Sequence, residues 1–153
     1  MHLHLAHLED TARLGRLLAQ TLMSQGICPL LISGPLGAGK TTLIRYIVTS
    51  LAGGENAEVS SPSFNLVNIY PTCPEVVHMD LYRLGQTGVD DSLLEYLEAY
   101  STALIVEWAE NLPENTLPLS FVRLQIELSN ETRKVHLSSH GEMAEEWLHS
   151  LAQ

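Results

Sequence analysis

Basic residues are scarce in this chain. Eight Lys and Arg stand against eighteen Asp and Glu, which gives a formal net charge of -10. A surface with this balance repels phosphate backbones, so we do not expect the chain to bind nucleic acid tightly and directly. Protein partners with basic surfaces are the more natural expectation.

Long apolar runs and cysteines are scarce as well. No stretch approaches the roughly 20 apolar residues that span a bilayer, and the opening MHLHLAHLED lacks the basic segment and apolar core of a signal peptide. We therefore expect a cytoplasmic protein with no membrane attachment. Cys28 and Cys73 fit no metal or redox spacing, so we expect two small, buried or half-buried apolar groups.

The apolar content is high enough for a well-filled core: 45% of the 153 residues are hydrophobic and 17% are charged. We find no internal repeat and no linker, so residues 1–153 are predicted to form a single domain. Strand patterns alternate with helical patterns, which predicts an α/β fold with a mixed parallel and antiparallel sheet flanked by helices. The predicted strands cover HLHL near the start and residues 29–32, 64–70, 76–80, 103–106, 121–128 and 133–138; the predicted helices run from a cap at Asp10 to about Gly26, along the segment after residue 41, and over 90–100 and 142–151. The turn residues PTCP at 71–74 and Ser129-Asn130 predict two hairpins, one from strands 64–70 and 76–80 and one from strands 121–128 and 133–138. Met143, Trp147 and Leu151 are expected on one side of the last helix.

The sequence GPLGAGKT at residues 34–41 carries the strongest signal. Gly34, Gly39, Lys40 and Thr41 match the phosphate-loop pattern G-x-x-x-x-G-K-[ST], between an apolar strand and an amphipathic helix. Glycines let successive backbone N–H groups turn inward around phosphates. The lysine supplies a point charge, and the threonine hydroxyl can reach Mg²⁺ at a helix N-terminus. The motif predicts nucleotide binding.

Two acidic residues end apolar strands and could serve the metal and the attacking water. Glu107 ends LIVE, and Asp80 ends VVHMD. Because Glu107 follows the longer buried run, we assign it to Mg²⁺, directly or through water. Asp80 would orient or deprotonate the attacking water, or help to hold the water shell of the metal. The alternative for each carboxylate is a helix cap or a bond to a loop.

Two further segments carry weaker signals. The hydroxyls of SPSF at residues 61–64 could sense the γ-phosphate or Mg²⁺, although a proline turn that leads into a strand is the alternative. His2, His4 and His7 alternate with apolar residues, and a solvated strand face explains them better than a metal site does.

Two classes of P-loop protein fit less well. A small GTPase needs an Asn-Lys-x-Asp motif, and the chain's two lysines, Lys40 and Lys134, lack those neighbours. A small-molecule kinase usually closes a lid that bears arginines, whereas the arginines here are not clustered in sequence. A kinase and a nucleotide sensor without turnover stay open as alternatives to an ATPase.

The segments GPLGAGKTT, SPSF, HMDLYRL and VEW, in this order and spacing, resemble the TsaE (YjeE) ATPases of bacteria. The resemblance extends from Thr11 to about residue 138. Members of that family are required, with TsaB and TsaD, to make threonylcarbamoyladenosine beside the anticodon of tRNAs that read codons beginning with A. The resemblance therefore implies a P-loop ATPase that uses ATP and Mg²⁺, acts as a switch on the TsaB–TsaD complex and is slow without those partners.

Carried over position by position, the resemblance also implies site residues. Asp80 and Lys40 are the expected catalytic residues, and Thr41 and Glu107 the expected metal ligands. Beyond the loop, the expected nucleotide contacts are Thr11, Trp108 and Arg133, with Lys134 as the alternative to Arg133. The loop contacts are Leu36, Gly37, Ala38, Gly39, Lys40, Thr41 and Thr42.

The chain departs from the family pattern at two positions. Ser63 stands where the family commonly has Thr, and a hydroxyl is retained. Pro35 stands where Asp is often found in the loop, at a position whose side chain is not obviously needed to hold phosphate.

Overall fold

The computed structural model describes residues 1–62, 64–84, 88–99 and 101–153. These residues form one seven-stranded mixed sheet with helices on both faces, which confirms the predicted α/β class. The strands are β1 (His2–Leu5), β2 (Leu30–Ser33), β3 (Val67–Tyr70), β4 (Val76–Asp80), β5 (Ala103–Glu107), β6 (Phe121–Ser129) and β7 (Thr132–His140). The helices are α1 (Leu8–Ser24), α2 (Lys40–Thr49), α3 (Asp91–Leu97) and α4 (Glu142–Leu151).

The sheet order is β1-β7-β6-β2-β5-β4-β3, so β2 lies at its centre. Strands β6, β2, β5 and β4 run parallel, and the β3–β4 and β6–β7 pairs are the two predicted hairpins. Successive residues of β2 alternate between two cores: Ile32 packs under α1, α2 and α4, and Leu31 packs on the face that α3 covers. Burial on both faces explains why β2, β4 and β5 read as continuous apolar runs.

The register brings the predicted acidic residues together. Strands β4 and β5 are parallel neighbours, and Asp80 pairs directly with Glu107. Glu107 also pairs with Ile32 at the end of β2, just before the glycine loop. Because parallel strands end at the same edge of a sheet, three segments that are distant in sequence meet at one edge.

The start of α1 corrects the predicted cap. The helix begins at Leu8 with His7 as its N-cap, so Asp10 lies in the first turn. One carboxylate oxygen of Asp10 accepts hydrogen bonds from the backbone N–H groups of Ala6 and His7. The bond from His7 is the main cause that lowers the pKa of Asp10. A carboxylate at the third helical position can thus satisfy N–H groups that precede the helix.

Smaller differences concern exposure and element ends. Met143 was expected on the inner side of α4, but Ala144 is buried there and Met143 is exposed. Cys28 is buried as expected, whereas Cys73 is exposed in the β3–β4 turn; both are free thiols. The predicted helix 90–100 ends at Leu97, and Tyr100 lies outside the described residues.

Every helix in the described ranges is too short or too polar to span a bilayer.

Candidate functional site

The glycine loop between β2 and α2 has the backbone that its sequence predicts. Gly37 and Gly39 have φ angles of 77° and 97°, in the left-handed region that side chains disfavour. Gly39 is the N-cap of α2, and no side chain caps the helix there. The N-terminus of α2 therefore offers unpaired N–H groups and the positive end of the helix dipole to an anion.

A cleft of about 510 Å³ opens beside this loop. Its wall combines the loop with the ends of β4 and β5 and one residue of β7. The lining residues are Leu36, Gly37, Ala38, Gly39, Lys40, Thr41, Thr42, Ser61, Asp80, Tyr82, Arg83, Glu107, Trp108 and Arg133.

Thr41 and Glu107 are in direct contact at the bottom of the cleft. The Thr41 hydroxyl lies 2.8 Å from Oε1 and 3.1 Å from Oε2 of Glu107. Only 2% of Glu107 is exposed. Hydroxyl and carboxylate oxygens are hard donors of the kind that Mg²⁺ prefers, and Mg²⁺ in phosphate sites usually has only one or two protein carboxylates. Among the described residues, no three His, Cys, Asp or Glu side chains form a preassembled metal cage. The donor set therefore fits a magnesium ion that arrives with phosphate oxygens.

Asp80 lies beside Glu107 and is held on both sides. The Ser61 hydroxyl donates a short hydrogen bond to Oδ2 of Asp80, and the backbone N–H of Tyr82 donates to Oδ1 at 2.9 Å. Only 3% of Asp80 is exposed. Asp80 thus bonds to neighbouring loops, which was the structural alternative that the sequence left open for it. Its link to Ser61 also joins the SPSF segment to the end of β4.

Lys40 is folded onto the loop itself. Its ammonium donates to the carbonyl oxygens of Gly34 at 2.6 Å and Pro35 at 3.0 Å, and lies 3.8 Å from the centre of the Trp108 ring. Burial lowers the pKa of Lys40, while nearby carboxylates, Glu107 first among them, oppose that shift. Among the described residues, no carboxylate forms an ion pair with this ammonium, so phosphate oxygens could replace its carbonyl partners.

Trp108 owes its position to an unusual backbone. Its φ of 55° is left-handed, which is rare for a bulky residue and is typical of functional sites. The turn places its ring in the cleft wall, 4.8 Å from the ring of Tyr82. Sequence pattern alone would have assigned this tryptophan to the core.

Comparison with known proteins identifies the family. The family model described as "Threonylcarbamoyl adenosine biosynthesis protein TsaE" matches residues 5–136. The chain belongs to the TsaE family. Proteins of this family take part in tRNA threonylcarbamoyladenosine biosynthesis.

Individual TsaE relatives agree with the family match. The TsaE proteins of Rickettsia felis and Rickettsia conorii are each 36% identical, over 83% and 90% of this chain and 72% and 78% of theirs. The TsaE protein of Streptomyces coelicolor is 35% identical over 84% of this chain and 90% of its own. The crystal structure of YdiB from Bacillus subtilis has the same fold, with a TM-score of 0.76, 24% identity, and coverage of 99% of this chain and 93% of that one.

The fold brings together most of the residues that the TsaE resemblance implied. Thr11 is the exception, because it is buried in α1 and is not part of the cleft wall formed by the described residues. Arg133 lines the cleft and donates from Nε to the carbonyl oxygen of Ala38 at 2.8 Å, whereas Lys134 is exposed on β7 and does not line it. Ser63 lies outside the described residues.

Sequence reasoning missed three side chains at this site: Arg83, His78 and Tyr82, the last of which lies beside Trp108. The cleft contains Arg83, which stacks 4.6 Å from the exposed ring of Phe64, so two arginines that are distant in sequence share one cleft. His78 is fully buried on β4 and contacts Glu107. The signal for His78 was present: it is a polar residue within the apolar run VVHM, two positions before Asp80.

A second groove of about 690 Å³ runs between the 3₁₀ turns after β5 and strand β6. Its walls include Glu110, Arg123, Gln125 and His140. In the described part of the chain, none of the residues predicted for the site lines this groove, which leaves the loop cleft as the candidate site.

Proposed function

We propose that this chain is an ATP-binding and ATP-hydrolysing subunit of the tRNA threonylcarbamoyladenosine system, which acts as a switch on the TsaB–TsaD complex. The observation that carries the proposal is the bond between Thr41 of the glycine loop and the buried carboxylate of Glu107, in a chain of the TsaE family. A glycine turn without such a partner would bind anions but would have no place for their metal.

The glycine loop would hold the triphosphate. Backbone N–H groups from Gly37 to Lys40 and the N-terminus of α2 bind the phosphate oxygens, and the Lys40 ammonium turns from the loop carbonyls to the β- and γ-phosphates. Leu36, Thr42, Trp108 and Arg133 line the remaining wall. Thr11 stays a proposed contact of the nucleoside end, which would have to extend beyond this cleft.

Thr41 and Glu107 would hold Mg²⁺. When bound, the ion would neutralise part of the charge on the phosphates. Glu107 and Asp80 are buried side by side, and like charges repel strongly when water is excluded. The positive charge of Lys40 would offset part of this repulsion as well as part of the charge on the phosphates.

Asp80 would act on the attacking water. Its Oδ1 stays fixed by the Tyr82 N–H, while its Oδ2 is released when the Ser61 hydroxyl turns toward the γ-phosphate. The freed oxygen can then orient the water and accept its proton. The Ser61–Asp80 bond thus couples occupancy of the cleft to readiness for hydrolysis.

Hydrolysis by the isolated chain should be slow. Arg83 is stacked on Phe64 and Arg133 is bonded to the loop carbonyl of Ala38, so each would have to leave its present partner before it could stabilise the transferred phosphoryl group. A partner that reorders these side chains, or supplies its own cation, would accelerate the reaction. The net charge of -10 also suits a single-domain cytoplasmic subunit that meets proteins and leaves tRNA to its partners.

Phosphate release measured with and without the TsaB–TsaD pair tests the proposal. We expect faster release with the pair, and Asp80→Ala should abolish the stimulation. Equal rates with and without the pair would contradict a partner-dependent switch. Transfer of label from ATP to a metabolite would indicate the kinase alternative. Full activity of Asp80→Ala in cells would indicate a sensor without turnover.

A further inference from the structure

His78 is a buried polar residue in a strand that is otherwise apolar. It lies on β4 with no exposed surface, two residues before Asp80, and pairs with Ile105 on β5. Residues two apart on a strand share a face, so His78 lies on the same face as Asp80, one layer deeper in the core. The ring of Tyr70 lies against it, with centroids 6.2 Å apart.

The single hydrogen bond of this ring goes to the predicted metal ligand. Nε2 of His78 lies 2.8 Å from Oε1 of Glu107. An ionised carboxylate only accepts hydrogen bonds, so Nε2 carries the hydrogen. Nδ1 has no hydrogen-bond partner among the described residues.

A structural role alone explains this arrangement poorly. Burying an imidazole with one nitrogen unpaired costs free energy that an apolar side chain of similar size would avoid. On the same face of the sheet, Val76 of β4 and Ile105, which pairs with His78 on β5, are apolar and fully buried, so apolar residues fill this layer. The one interaction that an apolar residue could not replace is the bond to Glu107.

The bond also distinguishes the two oxygens of Glu107. Oε1 accepts from His78 and from the Thr41 hydroxyl at 2.8 Å each, whereas Oε2 has only the longer Thr41 contact at 3.1 Å. The Glu107 carboxylate is therefore held mainly by the hydrogen bonds to Oε1, whereas Oε2 is more weakly hydrogen-bonded. Residues that hydrogen-bond to a metal-binding carboxylate without touching the metal typically set the orientation of that carboxylate.

We propose that His78 is a positioning residue for magnesium. It holds the Glu107 carboxylate through Oε1 so that Oε2 and the Thr41 hydroxyl are oriented toward Mg²⁺ or its water shell. The inference rests on the proposed function, because it assumes that ATP binds this cleft with Mg²⁺.

The test compares two substitutions of similar length. Gln in His78→Gln can place its amide nitrogen where Nε2 lies, whereas Met in His78→Met fills the space without a donor. ATP affinity is measured with Mg²⁺ and with EDTA, and the ratio of the two is the readout. We expect His78→Met to reduce the Mg²⁺-dependent gain about 10- to 100-fold, and His78→Gln to stay within about threefold of the native ratio.

The controls separate the possible failures. Met79→Leu changes an equally buried residue of β4 on the opposite face and should keep the native ratio. If the native chain shows no Mg²⁺-dependent gain, the proposed function itself is wrong. A native ratio in His78→Met, equal losses with Mg²⁺ and EDTA, or no rescue by Gln would each overturn the role of His78 while the proposed function stands. If His78→Met does not fold, His78→Asn replaces it, since its amide is too short to reach Glu107.

Discussion

The strands on the two sides of the central strand β2 differ in whether their polar side chains are buried or exposed. On the side of β5 and β4, His78, Asp80 and Glu107 are at most 3% exposed within otherwise apolar strands. On the side of β6 and β7, buried apolar residues alternate with exposed polar ones such as Arg123 and Lys134. Buried polar groups lower stability unless they are paired. Under the proposed function, this contrast means that the β4–β5 side would carry the chemistry and the β6–β7 side would support it.

The largest effect is expected from Lys40, which lines the same cleft as the two buried acids. Lys40→Ala removes the ammonium that would bind the β- and γ-phosphates, and we expect ATP affinity to fall at least about 100-fold, or about 3 kcal/mol. Lys134→Ala is the matched control, because Lys134 is the other lysine of the chain and is exposed on β7. Calorimetric titration with ATP measures both. Equal ATP affinities in the two variants would show that Lys40 contributes no more to nucleotide binding than an exposed lysine of β7.

Asp80 should affect turnover rather than binding. Asp80→Asn keeps an oxygen for the Tyr82 N–H but cannot accept a proton, so we expect hydrolysis in the presence of partners to fall about 100-fold or more. ATP affinity should change by less than about threefold, since the carboxylate does not hold the phosphates. Single-turnover phosphate release and equilibrium binding separate the two quantities. If hydrolysis and ATP affinity fell by similar factors, Asp80 would have a structural role and no specific role in turnover.

Arg133 should give the smallest effect, because it reaches the cleft from the β6–β7 side. Its hydrogen bond to the Ala38 carbonyl supports the loop. We expect Arg133→Met to weaken ATP binding about three- to tenfold, or about 1 kcal/mol. Lys134→Met in the same titration should have no effect. A loss as large as that of Lys40→Ala would show that both sides of β2 contribute equally to nucleotide binding.

Local patterns in the sequence predicted most of the fold. The short apolar runs identified β2 and β5, turn residues identified both hairpins, and the glycine motif identified the start of α2, since each of these signals depends on neighbours in sequence. The signals that failed depend on neighbours in space. Asp10 resembles a helix cap, yet it accepts hydrogen bonds from backbone that precedes the helix. Met143 fits the helical spacing of α4, yet Ala144 fills the position against the sheet.

The same division applies to the site. The loop residues follow from the motif, and the two acids follow from their places at the ends of apolar runs in the sequence. The Ser61–Asp80 bond, the contact of His78 with Glu107 and the arrival of Arg83 in the cleft join residues that are distant in the chain. Only the three-dimensional register shows which of many polar side chains meet.

We expect a triphosphate in the loop to draw Lys40 away from Gly34, Pro35 and the Trp108 ring. Fluorescence of Trp108 during ATP titration with Mg²⁺ tests it most directly, because Trp147, the other tryptophan, is buried in the core. We predict a saturable change in the native chain that disappears in Trp108→Phe and in Lys40→Ala. A flat titration of the native chain, or the same change in Lys40→Ala, would contradict the claim.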